Sequence, residues 1–374
     1  MKILFAGGGT AGHINPALAV AGYIKEKAPD TEILFVGNRG GMEQTLVPKA
    51  GFKMEFISIS GFSRSLSMKS VKHNVETFNK TFTASKEAKR IISQFNPDIC
   101  VGTGGYVSGP VLRTAAKMGI PTVIHEQNAY PGITNKMLAR TAKRVMLAVK
   151  DAEKYFDKKA RVVVTGNPVR GEIIKADREK ARKKLGVDER PLVLSFGGSL
   201  GARILNENMA ALIARSGQDK AYQHIHAYGG HGLWFPDLVK KKGTDISECD
   251  NLDIREYIDD MADCMAAADL VISRAGAITL SEIQVLGKPA VLIPSPNVAE
   301  NHQYHNAMAL VNNGAAEIIE EKDLTEDLLI EKIDSLLKNP ERLSSFAKNS
   351  RKMAIADANE RIWSVIKSVV SNSI

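Results

Sequence analysis

Short runs of apolar residues alternate along this chain with longer stretches whose apolar positions recur at helical spacing. "KILFAG" (2–7), "EILFVG" (32–37), "DICVGTGG" (98–105) and "TVIHEQ" (122–127) are near-continuous apolar or β-branched runs that close on glycine or polar residues. Such runs predict strands buried on both faces, and the helical patterns between them predict a parallel sheet covered by helices. At Pro191 the pattern restarts. "RPLVLSFGGSLGARILNENMAALIA" again reads as strand, glycine loop and helix, and "YQHIHAYGG", "DLVISRAGAITLSEI" and "PAVLIPSP" continue a second series. The predicted fold is therefore α/β, with two doubly wound Rossmann-like parallel-sheet domains facing across a cleft and a boundary near "VVVTGNPVRGEI". The expected division is a first domain over 1–166, a second over 167–350, and a C-terminal helix over 351–374 packing back on the first. Ligands of such sheets bind beyond the carboxyl ends of the strands.

Candidate chemistry sits at those strand ends. In "GGGTAGHINP", Gly7, Gly9 and Gly12 fit the dinucleotide spacing G-x-G-x-x-G between a strand and a helix. Asn15 as N-cap and Pro16 at the first helical position mark the predicted helix start, an expected anion site. The second strand ends in Gly37, Asn38 and Arg39, without the acidic residue that holds a ribose, although Arg39 suits a 2′-phosphate. A phosphorylated nicotinamide cofactor thus stays open from this stretch. "GGSLGAR" lacks the fingerprint spacing, and "GTGGYVSGP" adds a third loop. Three glycine-rich strand ends suit two phosphate-bearing ligands better than one dinucleotide.

Composition narrows the class. A chain of 374 residues with 44% apolar and 25% charged content is an ordinary globular protein, long enough for two cores. Cys100, Cys249 and Cys264 are too far apart for a zinc pair and read as reduced thiols. No apolar run approaches the roughly 18–20 residues of a membrane span, and the N-terminus reads as a strand rather than a signal peptide. Charge is uneven. Residues 1–166 carry 24 basic and 12 acidic residues, a net of +12, and the remainder 26 and 30, a net of −4. The first domain is expected to meet an anionic surface, lipid or nucleic acid, unless its charges are only solvated helix faces. Aromatic content of 6% argues against stacking on bases, so no nucleic acid partner is expected.

Eight blocks in order, "GGGTAGHINPALA", "GTGGYVSGP", "HEQNAYPGITNK", "GNPVR", "GGSLGAR", "YIDDM", "RAGAITLSEI" and "NHQYHNA", resemble the MurG family of N-acetylglucosaminyltransferases, glycosyltransferase family 28. The resemblance runs from Met1 to about residue 310. It implies a glycosyltransferase B fold, inverting transfer of GlcNAc from UDP-GlcNAc to the C4 hydroxyl of muramoyl-pentapeptide on undecaprenyl diphosphate, and a place in peptidoglycan synthesis. It also implies peripheral residence on the cytoplasmic face of the bacterial membrane, no cofactor, and other cell-wall synthesis proteins as partners. By resemblance Glu282 holds the two ribose hydroxyls, and the helix start Ala277, Ile278, Thr279, Leu280 and Ser281 lies beneath the diphosphate. Ser199 contacts the nucleotide, Ile258 meets uracil through its backbone, Gln303 and Asn128 bind GlcNAc hydroxyls, and Arg170 sits by the donor phosphates. Thr10, Ala11 and Gly12 lie near the reaction centre and the acceptor diphosphate, with Ala11 where the family often has glycine.

Inverting transfer needs a base to deprotonate the acceptor hydroxyl. His13 is the candidate, kept neutral by a nearby helix N-terminus, with His125 and Glu126 as alternatives. Adjacent Asp259 and Asp260 point to different faces of a helix, so no essential metal is expected. In "SGFSRSLSMKSVKHNVETFNKTF", Phe62 and Leu66 with Lys69 and Lys72 form a candidate membrane-docking surface, to which Arg140 adds. Competing readings are a UDP-GlcNAc 2-epimerase or another enzyme of the same fold, an NADP-dependent oxidoreductase, and a non-catalytic nucleotide-sugar or nucleic-acid binding protein.

Overall fold

A computed structural model describes residues 1–59 and 83–372. Contacts divide the chain into two units, Met1–Val169 with Ile355–Ile374, and Arg170–Ala354.

Among the described residues unit one holds seven parallel strands: β1 (Lys2–Gly7), β2 (Glu32–Asn38), β3 (Lys53–Ile57), β4 (Ile99–Gly104), β5 (Thr122–Glu126), β6 (Arg144–Leu147) and β7 (Val162–Val164). Their order is β3-β2-β1-β4-β5-β6-β7, so strand order reverses between β1 and β4. Both sheet faces are covered, which is why β1 is apolar without alternation. Leu4 and Ala6 enter one core, and Ile3 and Phe5 the other. The second core also takes Ile362, Trp363, Ile366 and Val369 from the helix Ala358–Ser371, which packs against the helix Ala11–Lys27. Each such buried side chain contributes about 1.5–3 kcal/mol, an upper estimate that ties the end of the chain to this unit.

Unit two holds six parallel strands: β8 (Leu192–Phe196), β9 (Gln223–Ala227), β10 (Leu252–Arg255), β11 (Leu270–Ser273), β12 (Ala290–Leu292) and β13 (Ala316–Ile318). The order β10-β9-β8-β11-β12-β13 reverses between β8 and β11. One core gathers Leu205, Met209 and Leu212 of the helix Arg203–Asp219 with Phe235, Ile272 and Val291. Each unit thus has a switch point, flanked by two glycine-rich loops in unit one and by one, the loop after β8, in unit two, and such points are where doubly wound sheets bind ligands.

Candidate active site

In unit one the register slips between Ala6 and Gly7, so that Gly7 lies opposite Gly104 at the switch point. A Cβ on Gly7 would stand 2.1 Å from the Thr103 hydroxyl, so glycine is required by this approach. The helix begins at Ala11 with Thr10 as N-cap, not after Asn15; Pro16 lies inside it. The sequence signal was misplaced because Pro16 occupies the sixth helical position, where its missing N–H leaves only the carbonyl of Gly12 without its usual helical donor. His13 therefore lies in the first turn, still within the positive end of the dipole. Ala11 is the first helical residue and is not among the positive-φ residues, so its methyl group is accommodated.

The imidazole of His13 lies on the backbone of Gly104 and Gly105, and its Nδ1 is 3.0 Å from the carbonyl of Thr103. A carbonyl only accepts, so Nδ1 carries the proton and Nε2 of the neutral ring keeps its lone pair. The Thr103 hydroxyl donates back to the His13 carbonyl at 2.7 Å. Beneath the loop lies Glu43, with 0% exposure. Its Oε2 accepts from the Gly9 N–H at 3.1 Å and its Oε1 from the Asn38 N–H at 2.9 Å. A pyrophosphate on this loop would meet a carboxyl group where it needs the Gly9 N–H, so the loop does not serve as a dinucleotide cradle despite its spacing.

His125 and Glu126 are buried. His125 Nε2 donates to the Gly166 carbonyl at 2.9 Å, and Nδ1 accepts from the Gln127 amide at 3.1 Å. Burial pushes its pKa down. Glu126 Oε1 accepts from the backbone and side chain of Asn128, and Oε2 from Gly132 N–H and the Asn135 amide, all at 2.8–3.1 Å. Glu126 thus shapes the loop that carries Asn128. On the helix Ile133–Leu138 that follows, Ile133 and Met137 are 53% and 56% exposed, one helical turn apart, with Arg140 exposed just beyond. Phe62, Leu66, Lys69 and Lys72 lie outside the described residues.

In unit two the helix Ala277–Leu286 starts shortly after β11 with Gly276 as N-cap and no side-chain cap, so its positive dipole end lies near the strand end. Glu282 is the sixth helical residue and buried. Its Oε1 accepts from Arg170 Nε and Nη2 at 3.2 and 3.1 Å. Burial raises the Glu282 carboxyl pKa and the guanidinium opposes it. Arg170 Nη1 also meets Glu172 at 2.8 Å. Ser199 is exposed on the loop after β8. That loop lies so close to the loop after β9 that a Cβ on Gly201, at φ +80°, would stand 2.0 Å from the Tyr228 carbonyl. Ile258 is buried, and Gln303 Oε1 accepts from Ser295 N–H at 2.9 Å, orienting the amide. Asp260 is the N-cap of the helix Met261–Ala267 and Asp259 precedes it, so neither lies on the helix as expected. Among the described residues no group of three or more His, Cys, Asp or Glu could hold a metal ion.

Residues 3–147 match the glycosyltransferase family 28 N-terminal domain and residues 192–362 its C-terminal domain. An Acetivibrio thermocellus protein named UDP-N-acetylglucosamine–N-acetylmuramyl-(pentapeptide) pyrophosphoryl-undecaprenol N-acetylglucosamine transferase is 49% identical over 373 residues, covering 100% of this chain and 99% of its own. The chain belongs to glycosyltransferase family 28. The crystal structure of Acinetobacter baumannii MurG superposes with a TM-score of 0.75 at 29% identity, covering 98% of this chain and 99% of the other. A UDP-GlcNAc 2-epimerase from Neisseria meningitidis, bound to UDP-GlcNAc, reaches 0.65 at 13% identity, covering 98% and 100%, and shares the fold alone. The fold does not separate transferase from epimerase; membership of family 28 does.

Several residues around these loops were given no role by the sequence. Tyr106 covers Gly9, where a Cβ would stand 2.7 Å from its ring. Its hydroxyl is hydrogen-bonded to the Asn38 side chain, while burial and Glu43 raise its pKa. In unit two Arg274, just before the helix Ala277–Leu286, pairs with Glu321 and donates to the Ile293 carbonyl at 3.1 Å. These partners are tens of residues apart in sequence, so only folding brings them together.

Proposed function

We propose that this family 28 chain transfers N-acetylglucosamine from UDP-GlcNAc to the C4 hydroxyl of undecaprenyl-diphosphate-linked muramoyl-pentapeptide. The observation that carries this reading is 49% identity, end to end in both chains, with a transferase named for that reaction. Incubation with both substrates is expected to yield lipid-linked disaccharide and UDP in equal amounts. Absence of disaccharide, with UDP-GlcNAc converted to its 2-epimer, overturns it.

In this mechanism His13 Nε2 takes the proton of the acceptor hydroxyl while that oxygen attacks the anomeric carbon. The bond from that carbon to the β-phosphate oxygen breaks, UDP leaves with the electron pair, and the configuration inverts. The Nδ1 contact with Thr103 supports His13 as base, since it holds the ring in the tautomer that can accept. His125 and Glu126 have their nitrogens and oxygens engaged and are assigned to the scaffold. The helix start Ala277–Ser281 and Arg170 meet the charge developing on UDP. Thr10, Ala11 and Gly12 border the acceptor, Asn128 and Gln303 take GlcNAc hydroxyls, and Ser199 and Ile258 complete the nucleotide site.

Glu282 is assigned to the ribose hydroxyls. Glu282→Ala is expected to weaken UDP binding by about 1.5–3 kcal/mol, roughly 10- to 100-fold, through loss of charge-assisted hydrogen bonds. Calorimetry with UDP checks this, and unchanged affinity in a folded variant removes Glu282 from the site.

Peripheral residence on the cytoplasmic face of the bacterial membrane follows from a soluble donor and a lipid-held acceptor. No helix of the described residues is long and apolar enough to cross a membrane. The net charge of +12 over residues 1–166, with exposed Ile133 and Met137 beside Lys136 and Arg140, supports docking through unit one. Each basic residue near an anionic surface contributes about 1 kcal/mol, screened within roughly 8–10 Å by salt. Sedimentation with anionic vesicles is expected at low salt and to weaken as salt rises. Ile133→Ser with Met137→Ser is expected to reduce the part that survives salt, with UDP affinity unchanged.

A further inference from the structure

Glu43 is a fully buried acidic residue at the switch point of unit one, and none of the roles above uses it. Both of its oxygens accept backbone N–H groups, from Gly9 and from Asn38. Three glycines are shaped around it: a Cβ on Gly8, Gly37 or Gly41 would lie 2.1–2.5 Å from a neighbouring side chain, and in each case a Glu43 atom stands within 2.5 Å. The loop it holds is closed from the other side. A Cβ on Gly105 would stand 2.2 Å from the Gly8 carbonyl, and the Tyr106 ring covers Gly9. Gly9 adopts φ +86° and is followed by Thr10, the N-cap, whose carbonyl accepts the first helical hydrogen bond from His13 N–H at 3.0 Å. A rigid path therefore runs from Glu43 through Gly9 and Thr10 to His13, whose ring lies against Gly104 on the far side of the same loop.

We infer that Glu43 is a positioning residue for His13, its carboxyl group fixing the Gly8–Thr10 backbone from which the His13 helix starts. This rests on the reading of His13 as the base. Two acceptor oxygens are required. An amide at this position turns one of them into an N–H group facing another N–H, so Glu43→Gln keeps the volume but releases Gly9 or Asn38. Displacement of a catalytic group by about 1 Å costs up to about 10²-fold.

The test is a double-substitution cycle on the full chain with UDP-GlcNAc and the lipid-linked acceptor. Glu43→Gln is expected to lower kcat by about 10- to 100-fold with the KM for UDP-GlcNAc within about twofold, because the nucleotide site belongs to unit two. Glu43→Gln with His13→Ala is expected to be no slower than His13→Ala alone. Glu43→Asp, which restores both oxygens, is expected to recover part of the loss. Wild-type kcat in Glu43→Gln, a rise in the UDP-GlcNAc KM that accounts for the loss, or losses that add in the double variant each overturn the proposal. If Glu43→Gln does not fold, Glu43→Asp is read by the same comparisons, with a loss of at least threefold expected and wild-type kcat overturning.

Imidazole nitrogen resonances of His13 test the same path without substrate. The wild-type ring is expected to be protonated at Nδ1 when neutral, and Glu43→Gln or Glu43→Asp to populate the other tautomer. An unchanged tautomer overturns the proposal even if the chain proves to catalyse a different reaction. A shifted tautomer in a chain that makes no disaccharide overturns the functional reading alone.

Discussion

His13→Ala is expected to lower kcat by about 10²–10⁴-fold and to leave UDP affinity within about twofold of wild type. The size follows from the role proposed for the ring. A sugar hydroxyl is a weak nucleophile until its proton is removed, and a positioned base contributes that range in comparable proton transfers. His13 meets the geometric requirement in a way the alternatives do not. Its Nδ1 is held by the Thr103 carbonyl, which leaves Nε2 able to accept. His125 has both nitrogens engaged inside the core, and Glu126 has both oxygens engaged by Asn128, Gly132 and Asn135. The effect should appear in kcat at saturating acceptor, since the nucleotide contacts are proposed to lie in unit two. His13→Gln, which keeps a hydrogen-bonding side chain but cannot act as base, is expected to be nearly as slow as alanine. Near-normal turnover in either variant leaves the reaction without a protein base at this position.

Acid is expected to destabilise unit two well before most carboxylates are protonated. His224 and His226 project from the same face of β9, fully buried, and both ring nitrogens nearest Ser195 lie 2.7 Å from its hydroxyl. One hydroxyl has one proton, so one ring donates to Ser195 and the other accepts from it. His224 Nδ1 and His226 Nε2 have no partner among the described residues. Protonating either ring adds a buried charge without an acceptor, against Tyr222 and Phe235. Burial accordingly pushes His226 down to about 3 and His224 well below its ordinary value. In the unfolded chain each ring titrates near 6.5. Below that pH the unfolded chain binds protons that the folded chain refuses, so stability is lost as pH falls. Between pH 6.5, where the unfolded ring is half protonated, and pH 4.5, His226 alone removes about 2 kcal/mol, and His224 adds to this with the same sign. Urea midpoints measured across that interval check it. The wild-type midpoint is expected to fall steeply and that of His224→Gln with His226→Gln to fall less, whatever its stability at pH 7. Parallel slopes would remove the histidine pair as the cause.

The candidate site was legible in part. The residues that resemble a nucleotide-sugar site lie in contiguous blocks, and a block carries its own signature. Glu282 with Ser281 and Ala277 is one such run, and Thr10 to His13 another. The start of the His13 helix was not legible, because Asn15 and Pro16 give the local signature of a helix start while Thr10 supplies the actual one. Glu43 lay outside every block, and Tyr106 and Arg274, though inside blocks, showed no role of their own, because each works through a partner distant in the chain: Gly9, Asn38 and Glu321 respectively.

The same division runs through the fold. The chain alone determined two parallel-sheet units and their central strands, because a strand buried on both faces must be apolar along its whole length, as in "KILFAG" and "LVLSF". The edge strands β3, β10 and β13 were not legible. They have five, four and three residues, and Lys53, Glu55, Asp253 and Glu317 lie among them, since an edge is covered less completely than a centre. Tertiary structure alone decided which glycines are indispensable, which carboxyl groups have both oxygens engaged by the scaffold, and which nitrogen of His13 faces the Thr103 carbonyl. These depend on a neighbour's position to within a few tenths of an ångström, and a sequence specifies such distances only through the packing of the whole unit.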